Sequence, residues 1–240
     1  MRYVLNITIL MLAIAAPLSY AEDVLIETAH YPNAEPIPYI LNANNATPKY
    51  VIILFPGGDG RVDPHREEGQ LVYALKGNFL LRARKHMVDA EFATVTTNAS
   101  PSEERIQGVI SDITQRFPQA QIYLMGTSNG TFATMSLAGY LADKIAGVIH
   151  TSSLSRIYSF NAKEYKNRQL VVHHKEDGCH ATLFDSAQGA HEKYGNEFIV
   201  MQGGISVGDP CMARGHHGYN GIESETVTAI KQWIKQGDKK

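Results

Sequence analysis

Gly126-Thr127-Ser128-Asn129-Gly130 sets a serine between two glycines, and it joins an apolar stretch at 121–125 to an Ala- and Met-rich stretch at 131–141. A Gly-x-Ser-x-Gly turn between a strand and a helix bends sharply. It strains the serine backbone and lifts the hydroxyl clear of the sheet. The flanking glycines avoid clashes at the bend, and the helix N-terminus favours negative charge developing there. The chemistry open to such a serine is nucleophilic attack on a carbonyl, provided a base takes its proton.

Ten histidines compete for the role of base, and few follow a strand near the chain end. His216 and His217 do, in Ala213-Arg214-Gly215-His216-His217-Gly218-Tyr219, just ahead of the last apolar-periodic stretch. His217, followed by Gly218, is the expected base and His216 a neighbour. A base of this kind needs an acid to orient its imidazole. Asp177 follows an apolar run in Val172-His173-His174-Lys175-Glu176-Asp177-Gly178-Cys179. Glu176 is the substitute acid, although Asp-Gly is the better turn pair; Asp185 is expected to face outward from the next helix. The chain order Ser128, Asp177, His217 is the serine-acid-histidine order of a nucleophile elbow on a parallel sheet.

An oxyanion needs two backbone N–H groups aimed at one point. Asn129, after the nucleophile, supplies one. The loop Phe55-Pro56-Gly57-Gly58-Asp59-Gly60 supplies the other, with Gly58 the first choice and Asp59 the reserve; Pro56 has no N–H to give. No Gly-Lys-Ser/Thr follows these glycines, so a phosphate cradle is the weaker reading.

The elements that must hold these residues alternate. Strands are expected at 24–29, 37–41, 50–54, 92–96, 121–125, 146–150, 170–173 and 198–202, and helices at 78–88, 131–141, 181–194 and 222–235. One further helix is opened by Ser102, with Ile106, Val109, Ile110 and Ile113 as its apolar stripe. The unbroken β-branched run at 50–54 suits a strand buried on both faces of a parallel sheet. Strand-helix alternation predicts an α/β fold, whose ligands bind beyond the carboxyl ends of its strands. The stretch at 151–169 is short and polar, and lacks the contiguous apolar face of a lid.

Together the glycine loop at 56–60, the elbow at 126–130 and the loops of Asp177 and His217 resemble the α/β-hydrolase superfamily, and within it the small, capless, secreted or periplasmic serine hydrolases. The resemblance extends over 50–234. It implies a mostly parallel central sheet with helices on both faces and no cap domain. It further implies hydrolysis of an acyl bond by a Ser128-His217-Asp177 triad through an acyl-enzyme, on a small-molecule acyl substrate and without a cofactor. Members that act as lipases and esterases often carry a histidine ahead of the oxyanion glycines; here Pro56 stands there, so sub-family specificity does not carry over, and an ester is the first expectation with thioester or amide next. The alternative of a different class is a binding protein that keeps the fold without turnover.

Cys179 lies two residues after the acid and Cys211 six before the base, so a disulfide between them would tie together two loops that must meet. With His173, His174 and His180 they could instead suggest a metal site. No Cys-x-x-Cys occurs, and no metal is expected. Met1-Arg2, the apolar run at 4–18 and the small residues Ser19 and Ala21 read as a secretory leader over 1–21, too short for a membrane anchor, which leaves 22–240 as one domain. The whole chain of 240 residues carries 22 Lys+Arg against 24 Asp+Glu, too balanced for the basic face that nucleic acid requires.

Overall fold

The computed structural model describes residues 23–30, 32 and 35–239; the expected leader over 1–21 lies outside them. Its centre is an eight-stranded sheet in the order β1-β2-β6-β3-β7-β8-β9-β10. Two leading strands, β1 (Asp23–Ala29) and β2 (Ile37–Ala43), pair antiparallel with each other, and β2 pairs antiparallel with β6. From β6 (Phe92–Thr96) through β3 (Tyr50–Phe55), β7 (Gln121–Ser128), β8 (Gly147–Ser153) and β9 (Arg168–His174) to β10 (Glu197–Met201) every pairing is parallel.

Alternation along the strands divides the interior into two layers, because successive side chains leave opposite faces of a strand. Val51, Ile53, Val95, Leu124 and Val148 meet the stripes of α2 (Glu103–Arg116) and α3 (Gly130–Tyr140), together with Ala187 of α4 (Phe184–Tyr194). Tyr50, Ile52, Leu54, Tyr123, Met125 and Ile149 meet α1 (Phe79–Met87) and α5 (Glu223–Gln236) on the other face. Helices thus cover both faces, and the β3 strand is buried at all six positions. Ser102 caps α2 by accepting from the Arg105 N–H at 3.3 Å, as its position predicts.

Two features differ from expectation. A small exposed hairpin, β4 (His65–Glu67) and β5 (Gln70–Val72), forms where no strand was predicted. The fourth helix begins at Phe184 rather than 181, because residues 179–183 turn back on themselves: the Thr182 N–H donates to the Cys179 carbonyl at 3.1 Å. The segment after β8 holds two short 3-10 turns, Ser155–Ser159 and Ala162–Glu164, in place of a cap.

Backbone touches backbone where β7 turns into α3. A Cβ on Gly130 would sit 2.1 Å from the Phe55 carbonyl oxygen and 2.7 Å from that of Pro56. Neither atom is a flexible side-chain end that could swing away. Gly130→Ala is therefore expected to lower the unfolding free energy by about 3 kcal/mol or more in urea titrations. Gly77→Ala meets nothing within 4 Å and should stay within about 0.5 kcal/mol of wild type. Equal losses in the two variants would contradict the crowding.

Candidate active site

Ser128, Gly58, Asn129, Asp177 and His217 all lie at or beyond the carboxyl end of a parallel strand. Ser128 ends β7 with φ 51°, a left-handed conformation that is strained for a residue with a Cβ. Its neighbours allow the turn only by being small. A Cβ on Gly126 would meet the Gly130 carbonyl at 2.6 Å, and one on Gly57 would meet Ser128 Cβ at 2.8 Å. Gly57, after β3, therefore lies against the serine, and Gly58 lines the same cleft. The Asn129 side-chain amide donates to the Gly58 carbonyl at 2.9 Å, tying the two expected oxyanion residues together. Asn129 makes no side-chain cap on α3, so the first N–H groups of that helix carry its positive end toward Ser128.

Asp177, after β9, has a completely buried carboxyl side chain. His217 Nδ1 lies 3.0 Å from its Oδ2. An ionised carboxylate only accepts, so Nδ1 carries the hydrogen and Nε2 is left with a free lone pair. The Thr182 hydroxyl donates to the same oxygen at 3.0 Å and lies 3.1 Å from His217 Nδ1. The Cys179 N–H donates to Oδ1 at 3.0 Å, and His173 Nε2 stands 3.2 Å from Oδ2. Burial alone would raise the Asp177 pKa. The hydrogen bonds from His173, His217 and the Cys179 amide outweigh it and hold the carboxyl well below the usual carboxylate range.

The competing residues are elsewhere. Glu176 is largely exposed and faces His216, whose ring stacks on His174 with centroids 4.4 Å apart. Asp185 is exposed on the first turn of α4. Cys179 and Cys211 form a disulfide that joins the Asp177 loop to the His217 loop. Closing 32 residues in this way stabilises by roughly 3.5 to 4 kcal/mol in the chain-entropy picture.

Ser128 and His217 line one cleft of about 270 Å³, together with Gly57, Gly58, Leu75, Phe79, Met212 and Ala213. No charged side chain lines it. A larger concavity, about 740 Å³, opens at the amino ends of β7 and β8, and neither histidine nor cysteine lines it. Thr182 and His173 were not foreseen as partners of the acid. Their only sequence signal was a position within five residues of Asp177.

No family model matches the chain, and no curated protein does. Solved structures do. A serine hydrolase without lid from Xanthomonas campestris superposes with a TM-score of 0.60 at 13% identity, covering 87% of this chain and 95% of its own. An α/β serine hydrolase homologue from Coxiella burnetii gives 0.60 at 15%, covering 88% and 100%. A thermophilic esterase from Thermogutta terrifontis gives 0.59 at 11%, covering 89% and 99%. The chain has the α/β-hydrolase fold in its lidless form.

The buried, ionised Asp177 makes stability depend on pH. Its folded pKa lies below the unfolded value of about 3.9. The stabilisation is therefore complete above about pH 5 and is lost progressively as pH falls through the unfolded value toward the folded one. Urea midpoints of wild type and Asp177→Asn should differ widely at pH 7 and clearly less at pH 3. A gap of the same size at both values would contradict the assigned ionisation.

Proposed function

We propose that this chain is a secreted serine hydrolase that cleaves a carboxylic ester, with thioesters and amides as poorer substrates. The observation that carries the reading is the pairing of Ser128, on a left-handed turn, with His217 in one uncharged cleft, His217 being backed by a fully buried carboxylate. The fold agrees with that chemistry without establishing it.

In this mechanism the Ser128 hydroxyl gives its proton to His217 Nε2 as its oxygen attacks the substrate carbonyl. The carbonyl oxygen takes the negative charge and is held by the N–H groups of Asn129 and Gly58. Asp177 keeps the imidazole in the tautomer that can accept, and stabilises the imidazolium that forms. Collapse of the tetrahedral species breaks the bond to the leaving group, which departs with the proton from His217. Water then repeats the sequence on the acyl-enzyme and frees Ser128.

Secretion rests on the leader read over 1–21 and on the Cys179–Cys211 disulfide, which suits an oxidising compartment. Among the described residues no helix is long and apolar enough to cross a membrane.

A fluorophosphonate probe should label the protein on Ser128, and Ser128→Ala should take no label. On an ester substrate, Ser128→Ala, His217→Ala and Asp177→Ala should each lose roughly 10^4 to 10^6 in rate while remaining folded. His216→Ala should lose far less than His217→Ala, because its ring is spent on His174 and Glu176. Full turnover in Ser128→Ala would remove the mechanism.

The cleft's size and the absence of a cap among the described residues also set the acyl chain length. Short soluble esters should be hydrolysed faster than long-chain ones, with no jump in rate when substrate micelles appear. Strong activation by an emulsified long-chain ester would contradict this.

A further inference from the structure

Ser152 has three features that the mechanism above leaves unused. It is the extra residue of a β-bulge: Thr127 pairs with Thr151 and Ser128 with Ser153, leaving Ser152 without a partner on β7. Its φ is 39°, left-handed for a residue with a Cβ. It is completely buried, and its hydroxyl donates to the His217 carbonyl at 2.7 Å. Bulges re-aim side chains, often beside active sites, and left-handed non-glycine residues persist only where their surroundings over-determine them. Glycine would adopt this conformation without strain. What serine adds is the hydroxyl, and the hydroxyl is spent on the backbone of the base.

His217 needs such a hold. It lies in a long connection between β10, which ends at Met201, and α5, which begins at Glu223. Its imidazole is fixed at one end by Asp177 and Thr182. Its backbone is fixed at the other end by Ser152. Tyr219 completes the hold: its phenol oxygen accepts the Ser152 N–H at 2.9 Å and its hydroxyl donates to the Val172 carbonyl at 2.8 Å. Tyr219 is itself left-handed, at φ 54°, and fully buried. Arg82 closes the set by donating to the Gly218 carbonyl while its Nε pairs with Glu223 at 2.9 Å.

We propose that Ser152, with Tyr219, is a positioning residue that ties the backbone of the base to the strand beside the nucleophile, so that Ser128 and His217 share one rigid frame. The proposal rests on the reading of Ser128 and His217 as nucleophile and base. Proton transfer tolerates little displacement, and an ångström of misplacement can cost about 100-fold in rate.

Ser152→Gly separates this role from a structural one, since it removes the hydroxyl and relieves the strained backbone together. The readouts are the rate of fluorophosphonate labelling at Ser128, kcat and KM on an ester substrate, and the thermal unfolding temperature. Ser152→Gly is expected to unfold at or near the wild-type temperature while labelling about 10- to 100-fold more slowly. On an ester substrate the loss should fall on kcat with KM little changed, because Ser152 does not line the cleft. Ser152→Ala keeps the Cβ and the strain, and should slow labelling to a similar extent; it serves if the glycine variant does not fold. Wild-type labelling rates in the folded variants would overturn the proposal alone. So would a slowing accounted for by the unfolded fraction, or a loss on the ester carried by KM alone. A wild-type protein that takes no label at Ser128 would overturn the hydrolase reading, and this proposal with it.

Discussion

The closeness of two backbones, the end of β3 and the start of α3, is the constraint on which the rest of the carboxyl edge depends. Gly130 passes near enough to the carbonyls of Phe55 and Pro56 that no side chain fits between them. That contact presses Gly57 against Ser128 and brings Gly58 within reach of the Asn129 amide. It is possible only because β3 and β7 are hydrogen-bonded neighbours in register from Tyr50 and Gln121 to Phe55 and Gly126. The Asp177 and His217 loops follow β9 and β10, farther along the same parallel run of strands. Sheet order converts residues up to 160 positions apart into one cleft.

The parts of this arrangement legible in the sequence are those encoded locally. The unbroken apolar run of β3, the alternation that splits the strands between two layers, the Ser102 cap and the Gly-x-Ser-x-Gly turn each show within a few residues. The Asp177 and His217 loops could be placed because each follows a strand, and the two cysteines stand near them. The β4–β5 hairpin escaped because His65, Arg66 and Glu67 are all exposed and carry no alternation of apolar and polar residues. Thr182, His173, Ser152 and Arg82 escaped for a different reason. Their contacts with the acid and base loops depend on how the loops close in space, which no local pattern records. The first turn expected of α4 was lost to the same cause, since 179–183 curls around Asp177 instead of starting a helix.

Burying an unpaired carboxylate costs far more than a domain of this size can spare, and the site resolves this by surrounding Asp177 with donors. Oδ1 takes the Cys179 amide, while Oδ2 takes Thr182 and His217 and lies within reach of His173. His173 bears a consequence of this. Its Nε2 faces two acceptors, the Thr182 carbonyl at 2.9 Å and Asp177 at 3.2 Å, so that nitrogen must carry the hydrogen. Its Nδ1 is then buried without a partner. The Nε2 hydrogen is thus committed to the acceptors around Asp177.

The same imbalance recurs in the backbone. Six non-glycine residues among those described have left-handed φ. Ser128, Ser152 and Tyr219 are the proposed nucleophile and the two residues proposed to position its base, and Leu75 lines the cleft beside them. Each breaks a local rule that β3 and β6 obey throughout. Natural chains tolerate such violations where an otherwise consistent structure over-determines them. The β-branched and aromatic side chains packed on both faces of β3, β7 and β8 supply that consistency. Left-handed residues collected at the carboxyl edge of a well-packed sheet are hard to explain by folding alone. They are what a preorganised reaction site requires, since groups held rigidly before substrate arrives need not reorganise as charge develops.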